Sequence, residues 1–258
     1  MAPTAQFGRY RAFPLSVFMF FDTSLLISQG LLNTCGTRST VRHRDRIPNG
    51  DAMLVISNHR SFLDAPLVMA AMDRSVRFAC HHYMSQVPVL KDIISAMGCF
   101  PLDAPGQRHQ TFFQTAIQAL KDKQPVGIFP EGAQPMVQTT SPHQIGQFHR
   151  GFAHLALRAP VKNLAILPVA ISSVEETVSP TVPLKFLSLF DPSEPLFDQT
   201  GWHPAVNYQR VTLSIGHPIR ITDAHRQQYH GRQAGRLAKA ITQSCYAEIS
   251  QLLQEGFS

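Results

Sequence analysis

Apolar and polar residues follow one another along the chain in short blocks that predict alternating strands and helices. Short apolar runs typical of buried strands occupy residues 52–56, 76–80, 99–102, 126–129, 165–171 and 211–215. Apolar residues at helical spacing predict helices over residues 65–72, 89–97, 110–121 and 152–158. Because strands of this kind must be covered on both sides, we predict an α/β fold: a mixed, largely parallel sheet with helices on both faces.

Two further segments have distinct patterns. Residues 180–204 contain five prolines, at positions 180, 183, 192, 195 and 204, which predicts an irregular excursion from the sheet. The apolar cluster inside it (Leu184, Phe186, Leu187, Leu189 and Phe190) is either a buried flap or a lip that contacts an apolar ligand or a membrane. Near the C-terminus one helical face, predicted to pack in the core, is formed by Leu237, Ile241, Cys245, Ile249 and Leu252 or Leu253.

The N-terminal 50 residues combine an apolar run with positive charge. Six arginines face only two acids there, in a chain whose net charge is +6. Residues 13–32 are too mixed for a spanning helix, which needs about 20 predominantly apolar residues. We therefore predict one or two helices lying in a membrane interface, with an ordinary buried helix and a solvated basic terminus as the alternatives.

Composition excludes several classes of protein. Hydrophobic residues make up 44% of the chain and charged residues 16%, which is typical of a globular domain. The four cysteines are scattered without metal-ligand spacing, so we predict neither disulfides nor a metal site. The pI of about 9.4 is not accompanied by a nucleic-acid recognition motif, and we predict no nucleic-acid partner.

Candidate chemistry follows the first predicted strand. His59 and Asp64 are five residues apart, which on one helix would place them about 140° apart, out of contact. They meet if His59 lies in a turn and Asp64 in the first turn of the next helix, where Pro66 is tolerated. A carboxylate on one imidazole nitrogen makes the other a general base. Alternatively, Ser61 caps the helix and Asp64 completes a capping box.

Six blocks in order resemble the glycerolipid acyltransferase family, typified by 1-acylglycerol-3-phosphate acyltransferases. The first is Asn58-His59-x-Ser61-x-x-Asp64, which resembles the family's HX4D signature. The others are similar to later family blocks and occupy residues 98–103, 129–132, 148–156, 167–171 and 215–219. Phe129-Pro130-Glu131-Gly132 also fits a type I turn on its own, although the turn does not require Glu131.

The resemblance implies transfer of a fatty acyl group from acyl-CoA or acyl carrier protein to a lipid hydroxyl, most simply on a lysophospholipid such as 1-acylglycerol 3-phosphate. It implies His59 and Asp64 as catalytic residues and no metal or cofactor. The implied substrate-binding residues are Asn58, Ser61, Glu131, Gly132, Gln134 and Arg108. We expect a membrane-associated helical segment over residues 1–36, an acyltransferase domain over 37–258, and a peripheral or monotopic location on the cytoplasmic face of a membrane.

Three positions that are usually basic in the family are His81, Ala104 and Gln134 here. Because arginine and lysine suit a phosphate dianion, this pattern weakens the expectation of a phosphate head group. Nearby substitutes are Arg60, Arg108, His143 and Arg150. The alternatives are therefore an acyltransferase for a nonphosphorylated lipid and a catalytically silent lipid-binding protein.

Overall fold

The fold is an α/β sheet, as predicted, in a computed structural model that describes residues 22–80, 90–101, 108–138, 140–189, 192 and 195–257. The strands are β1 (Arg38–Arg42), β2 (Ala52–Ser57), β3 (Arg77–Cys80), β4 (Phe100–Pro101), β5 (Val126–Ile128), β6 (Leu164–Pro183), β7 (Trp202–Ile215) and β8 (Ile219–Ile221). The helices are α1 (Thr23–Thr34), α2 (Asp64–Met72), α3 (Leu90–Ala96), α4 (Arg108–Lys121), α5 (Gln134–Val137), α6 (Gly151–Arg158), α7 (Leu184–Leu187), α8 (Asp223–Gln228) and α9 (Gly231–Glu255).

The described strands form one sheet in the order β1-β7-β6-β2-β5-β3-β4, with β8 also paired to β6. Strands β2 to β6 are parallel to one another, whereas β7 and β8 run antiparallel to β6. The carboxyl ends of β2 and β5 therefore meet at one edge, where α/β folds build their sites.

Strand β2 shows why helices cover both faces. Its residues are all buried, and successive side chains of a strand point to opposite faces. Leu54 and Ile56 pack with α4, α6 and α9, whereas Met53 and Val55 pack with α1 and α2. The predicted face of α9 is confirmed, since Ile241, Cys245, Ile249, Leu252 and Leu253 are buried and Leu237 packs against them.

The prediction of an irregular excursion over residues 180–204 was wrong at both ends. β6 continues to Pro183 and β7 begins at Trp202, so that Pro180 pairs with Pro204 in an antiparallel hairpin. We call its outer part, residues 175–183 and 202–210, the ribbon. Among the described residues β1 reaches the ribbon only at Arg210, and no further strand pairs with the outer edges at its prolines, where a residue without an N–H is tolerated.

Two features of the sheet do not follow from the apolar runs. Residues 38–42, which contain no apolar run, form β1 alongside β7. Pro168 lies inside β6 opposite Ile56, although proline is usually confined to edges and bulges. The described pairing with β8 ends at Ile166 and that with β7 begins at Val169, so the missing N–H falls where β6 changes partner.

The N-terminal helix α1 packs on α2 and α3 and buries Ser28 and Leu32. Asp22 caps it, because its carboxylate accepts a hydrogen bond from the N–H of Leu25 at 3.2 Å. Much of the apolar run at residues 13–32 lies outside the described residues. Within the described chain, no helix combines the length and apolarity needed to cross a bilayer. Membrane contact by this segment stays a prediction.

Candidate active site

A turn after β2 brings His59 and Asp64 together. β2 ends at Ser57 and α2 begins at Asp64, so the two residues lie on either side of a tight loop. Nδ1 of His59 is 2.8 Å from Oδ2 of Asp64, and the predicted contact is confirmed. Pro66 occupies the first turn of α2, where its missing N–H costs nothing.

The Asp64 carboxylate is fully enclosed by donors. Besides His59, Oδ2 accepts the backbone N–H groups of Arg60 at 2.7 Å and Ser61 at 2.8 Å. Oδ1 accepts the hydroxyl of Tyr208 at 2.9 Å. A buried carboxylate is costly unless it is hydrogen-bonded, and here both oxygens are satisfied. The bonds of the capping alternative are present as well, since Asp64 accepts the N–H of Ser61 and the Ser61 hydroxyl accepts the N–H of Leu63, although α2 itself begins only at Asp64.

The His59 ring rests on an aromatic stack. It is parallel to Phe129 with ring centres 4.0 Å apart, and Phe129 stacks on Phe78 at 4.8 Å. Strand β5 makes room for Phe78 at Gly127, where an added Cβ would lie 2.2 Å from the ring. The stack fixes the plane of the imidazole, whose side chain remains 17% exposed.

Glu131 ties the His59 turn to a neighbouring loop. It lies in the turn that follows β5, closed by a hydrogen bond from Gly132 N–H to Phe129 C=O at 3.2 Å, with Gly132 at a φ of +73°. Its Oε1 accepts the N–H of His59 at 2.9 Å, and its Oε2 accepts the N–H of Gly146. Burial raises the pKa of Glu131, although both N–H bonds act in the opposite direction.

Asn58 and Ser61 bond to the chain itself. The Asn58 amide donates to the carbonyl of Ile171 and accepts its N–H, at 2.9 and 2.8 Å, which joins the turn to β6. The Ser61 hydroxyl donates to the carbonyl of Val206 at 2.6 Å and accepts the N–H of Leu63. Both side chains are buried, and they hold the turn in place.

The Arg60 side chain is only 5% exposed and is bonded to residues outside the turn. Its guanidinium donates to both oxygens of Glu176, at 2.7 and 2.9 Å, and to the carbonyl of Thr140. Burial acts to lower the pKa of Arg60, but the bond to Glu176 and the charge of Glu176 raise it overall. Burial acts to raise the pKa of Glu176, yet Arg60 and Ser173 lower it overall. Arg60 is therefore occupied by an internal ion pair.

Comparison with known proteins identifies a family whose matched region includes this turn. The Acyltransferase family model matches residues 38–172, just over half of the chain, and includes both His59 and Glu131. The chain belongs to the Acyltransferase family.

The chain is also similar to a curated plant protein and, in fold, to a solved bacterial structure. Over 165 residues the acyltransferase is 27% identical to the N-acylphosphatidylethanolamine synthase of Arabidopsis thaliana, a match that covers 58% of this chain and 56% of that protein. The chain thus matches about half the length of that relative. The 1-acyl-sn-glycerophosphate acyltransferase PlsC of Thermotoga maritima has the same fold, with a TM-score of 0.57 and 18% identity over 90% of this chain and 77% of that one.

The residues predicted to bind substrate are only partly described in the acyltransferase. Gln134 is exposed at the start of α5, where its amide donates to Gln138 at 3.3 Å. Arg108 begins α4, but its side chain lies outside the described part of the chain, as do His81 and Ala104. The described residues contain no group of three or more potential metal ligands.

Two other residues suggested as replacements for the missing basic positions, His143 and Arg150, do not contact the His59 ring among the described contacts. His143 packs on Phe257 with ring centres 4.0 Å apart, and Arg150 is exposed at the start of α6. His149, which the sequence analysis missed, lies beside the turn: a Cβ built on Gly132 would be 3.8 Å from its Nε2. Its only sequence signal is its position within the 148–156 block.

Sequence reasoning also missed Tyr208, Glu176, Phe78 and Gly127. A buried tyrosine needs a partner for its hydroxyl, so Tyr208, three residues before the predicted strand at 211–215, was a usable signal. Glu176 gave none, because nothing in its neighbourhood along the chain indicates Arg60 as its partner.

Proposed function

We propose that this acyltransferase moves a fatty acyl group from an acyl thioester, on coenzyme A or acyl carrier protein, to a lipid hydroxyl. The observation that carries the proposal is the 2.8 Å contact between Nδ1 of His59 and the buried Asp64 carboxylate. It leaves Nε2 of His59 as the nitrogen that can accept a proton, and the described residues offer that atom no hydrogen bond.

The proposed reaction needs no covalent enzyme intermediate. Nε2 of His59 removes the proton of the acceptor hydroxyl as its oxygen attacks the thioester carbonyl. The C–O bond forms and the C–S bond breaks, and the proton passes from the imidazolium to the departing thiolate. Asp64 holds the imidazole in one tautomer and stabilises its charge in between.

Three N–H groups of the turn are already bonded within the protein and do not provide an oxyanion hole. Those of His59, Arg60 and Ser61 are bonded to Glu131 or Asp64. These bonds support positioning roles for the turn and for Glu131, and the same applies to Asn58 and Ser61. Direct substrate contact is proposed for Gln134, Gly132 and Arg108.

A lysophospholipid such as 1-acylglycerol 3-phosphate is the proposed acceptor, with a lipid that lacks the phosphate monoester as the competing candidate. Two observations support the competitor: Gln134 has no charge, and the Arg60 guanidinium is consumed by Glu176. The name of the Arabidopsis relative adds an amine-bearing lipid, phosphatidylethanolamine, to the acceptors to be tested.

The test is transfer of labelled acyl groups from acyl-CoA and acyl carrier protein to a panel of lysophospholipids, phosphatidylethanolamine and neutral lipid alcohols. We expect His59→Ala to lower transfer by about 10³-fold, the range of a lost general base. His230→Ala, an exposed histidine before α9, is the matched control and should match the unaltered protein. Unchanged transfer by His59→Ala would refute the mechanism, and no transfer to any acceptor would favour the silent lipid-binding protein.

We also propose peripheral attachment to the cytoplasmic face of a membrane through residues 1–36. Deletion of residues 1–21 keeps the Asp22 cap of α1 and its contact with α2. In a flotation assay, the full chain should float with anionic liposomes, whereas the shortened protein should stay in the soluble fraction. Equal flotation of both proteins would contradict the proposal and would mean that another surface of the protein binds the membrane.

A further inference from the structure

The outer hairpin supplies contacts to the His59 turn from beyond the family-matched segment. The match ends at residue 172, whereas Glu176, Val206 and Tyr208 lie on the ribbon. Glu176 pairs with Arg60, and the carbonyl of Val206 accepts the Ser61 hydroxyl. Tyr208 makes the third contact, and it alone reaches a member of the His59–Asp64 pair.

Tyr208 is the partner of the second Asp64 oxygen. The two backbone N–H groups and the imidazole all share Oδ2, whereas Oδ1 accepts a hydrogen bond from Tyr208 at 2.9 Å. Its side chain is one of the largest fully buried groups in the described chain. Burial and the negative charge of Asp64 raise the pKa of Tyr208 well above its usual value, so the phenol stays protonated and donates.

We propose that Tyr208 is a positioning residue that holds Asp64 in place and limits how strongly its carboxylate binds the His59 proton. The inference rests on the proposed function of the pair. A donor on Oδ1 spreads the carboxylate charge, so the proton of the imidazolium is held less tightly and is released to the leaving group more readily.

Other charged groups face the pair and remain in place when Tyr208 is changed. Glu131 lies on the β5 side and bonds to the His59 N–H. Arg60 and Glu176 lie on the ribbon side, where they neutralise each other. A Tyr208→Phe change leaves these three groups untouched, so an altered pH dependence would report the lost hydroxyl.

The test is the pH dependence of transfer by Tyr208→Phe on the full chain. We expect the acid limb of kcat to move to higher pH by about one pH unit. Transfer should fall about tenfold on that limb and much less at alkaline pH, where the ring is already neutral, while the acceptor KM is unchanged. The matched control is Tyr229→Phe, which removes a hydroxyl bonded to His154 at 2.8 Å and should leave the profile unaltered.

A second measurement does not depend on activity. NMR titration of the labelled His59 ring should give a midpoint at higher pH in Tyr208→Phe than in the unaltered protein. An unchanged midpoint, or a kcat that falls equally at every pH, would overturn the role of Tyr208 and leave the proposed function standing. If the unaltered protein transfers nothing, the proposed function fails while the titration still tests the positioning role.

Discussion

The His59 turn and the ribbon contribute to the same site, the turn through contacts between residues close in sequence and the ribbon through contacts between residues far apart. Within the turn, the bonds to Asp64 come from residues three to five positions away along the chain. The ribbon reaches the turn through contacts that span 116 to 145 residues, from Glu176, Val206 and Tyr208. The turn holds the two residues that we propose to be catalytic, and the ribbon contacts the turn from a distant part of the chain.

This difference shows why a short motif is not by itself an active site. The local bonds set the loop geometry, but they leave one oxygen of Asp64 and the Arg60 side chain to be satisfied from elsewhere. An unsatisfied buried carboxylate oxygen would lower the stability of the folded protein, so the site requires the contacts from the ribbon. Substitutions in the His59 turn and in the ribbon should therefore have different effects on transfer and on stability.

The largest effect is expected in the turn. Asp64→Asn should lower kcat by about 10³-fold, as much as the loss of His59, because an amide no longer fixes the tautomer of His59 or stabilises the imidazolium. The measurement is the initial rate of acyl transfer, with a thermal melt to show that the variant is folded. Asp73→Asn is the control: Asp73 ends the same helix, its side chain is 70% exposed, and the rate should be unchanged. A rate loss of only a few-fold in Asp64→Asn would contradict the pairing.

The aromatic stack comes next. Gly127→Ala places a methyl group 2.2 Å from the Phe78 ring, which must move and take Phe129 with it. We expect a loss of about 3 kcal/mol in the free energy of unfolding, at the upper end for overpacking, and slower transfer.

The control for that variant is Gly30→Ala in α1, where nothing lies within 4 Å of an added Cβ. Alanine should stabilise the helix by about 0.5–1 kcal/mol. Denaturant unfolding measures both changes. Equal stability of the two variants would show that the stack adapts freely and does not fix the His59 ring.

The ribbon gives a smaller, pH-dependent effect. Glu176→Gln should lower the free energy of unfolding by about 2 kcal/mol at neutral pH, since it leaves the buried Arg60 without its charge partner. The folded-state pKa of Glu176 lies below the ordinary carboxyl value of 4.5. The stabilisation is therefore fully present above that value and is lost as pH falls through the folded pKa. The two proteins should converge in acid.

Glu175→Gln is the control on the adjacent residue. Glu175 also pairs with an arginine, Arg210, at 2.7 Å, but both side chains are more than half exposed. Exposed pairs of this kind are worth about 0.2–1 kcal/mol. Equal losses for Glu175→Gln and Glu176→Gln would mean that the ribbon contact on Arg60 is an ordinary surface pair.

Sequence patterns predicted most of the central sheet and the contact within the turn. The apolar runs located β2, β3, β5 and the first part of β6, because buried strands need apolar residues on both faces. The contact of His59 with Asp64 followed from strand end, turn and Pro66. These features depend on residues close together in the chain.

The ribbon and its contacts were missed for a physical reason. Prolines usually argue against strands, but at an unpaired edge they remove only a hydrogen bond that would have gone to water. The partners of Arg60 and Asp64 on the ribbon are more than 100 residues away, and charge or hydroxyl patterns do not encode such pairing. The resemblance implied a substrate-binding role for Glu131, and only the fold brings Gly146 to its carboxylate.

The central claim is that Asp64 holds His59 with its proton on Nδ1 and leaves Nε2 free as the base. Nitrogen-15 NMR of histidine-labelled protein at mildly alkaline pH, assigned by comparison with His59→Ala, observes that directly. We predict a protonated Nδ1 hydrogen-bonded to the carboxylate and an unprotonated Nε2. A ring protonated at Nε2, or one that exchanges freely between the two tautomers, would contradict it.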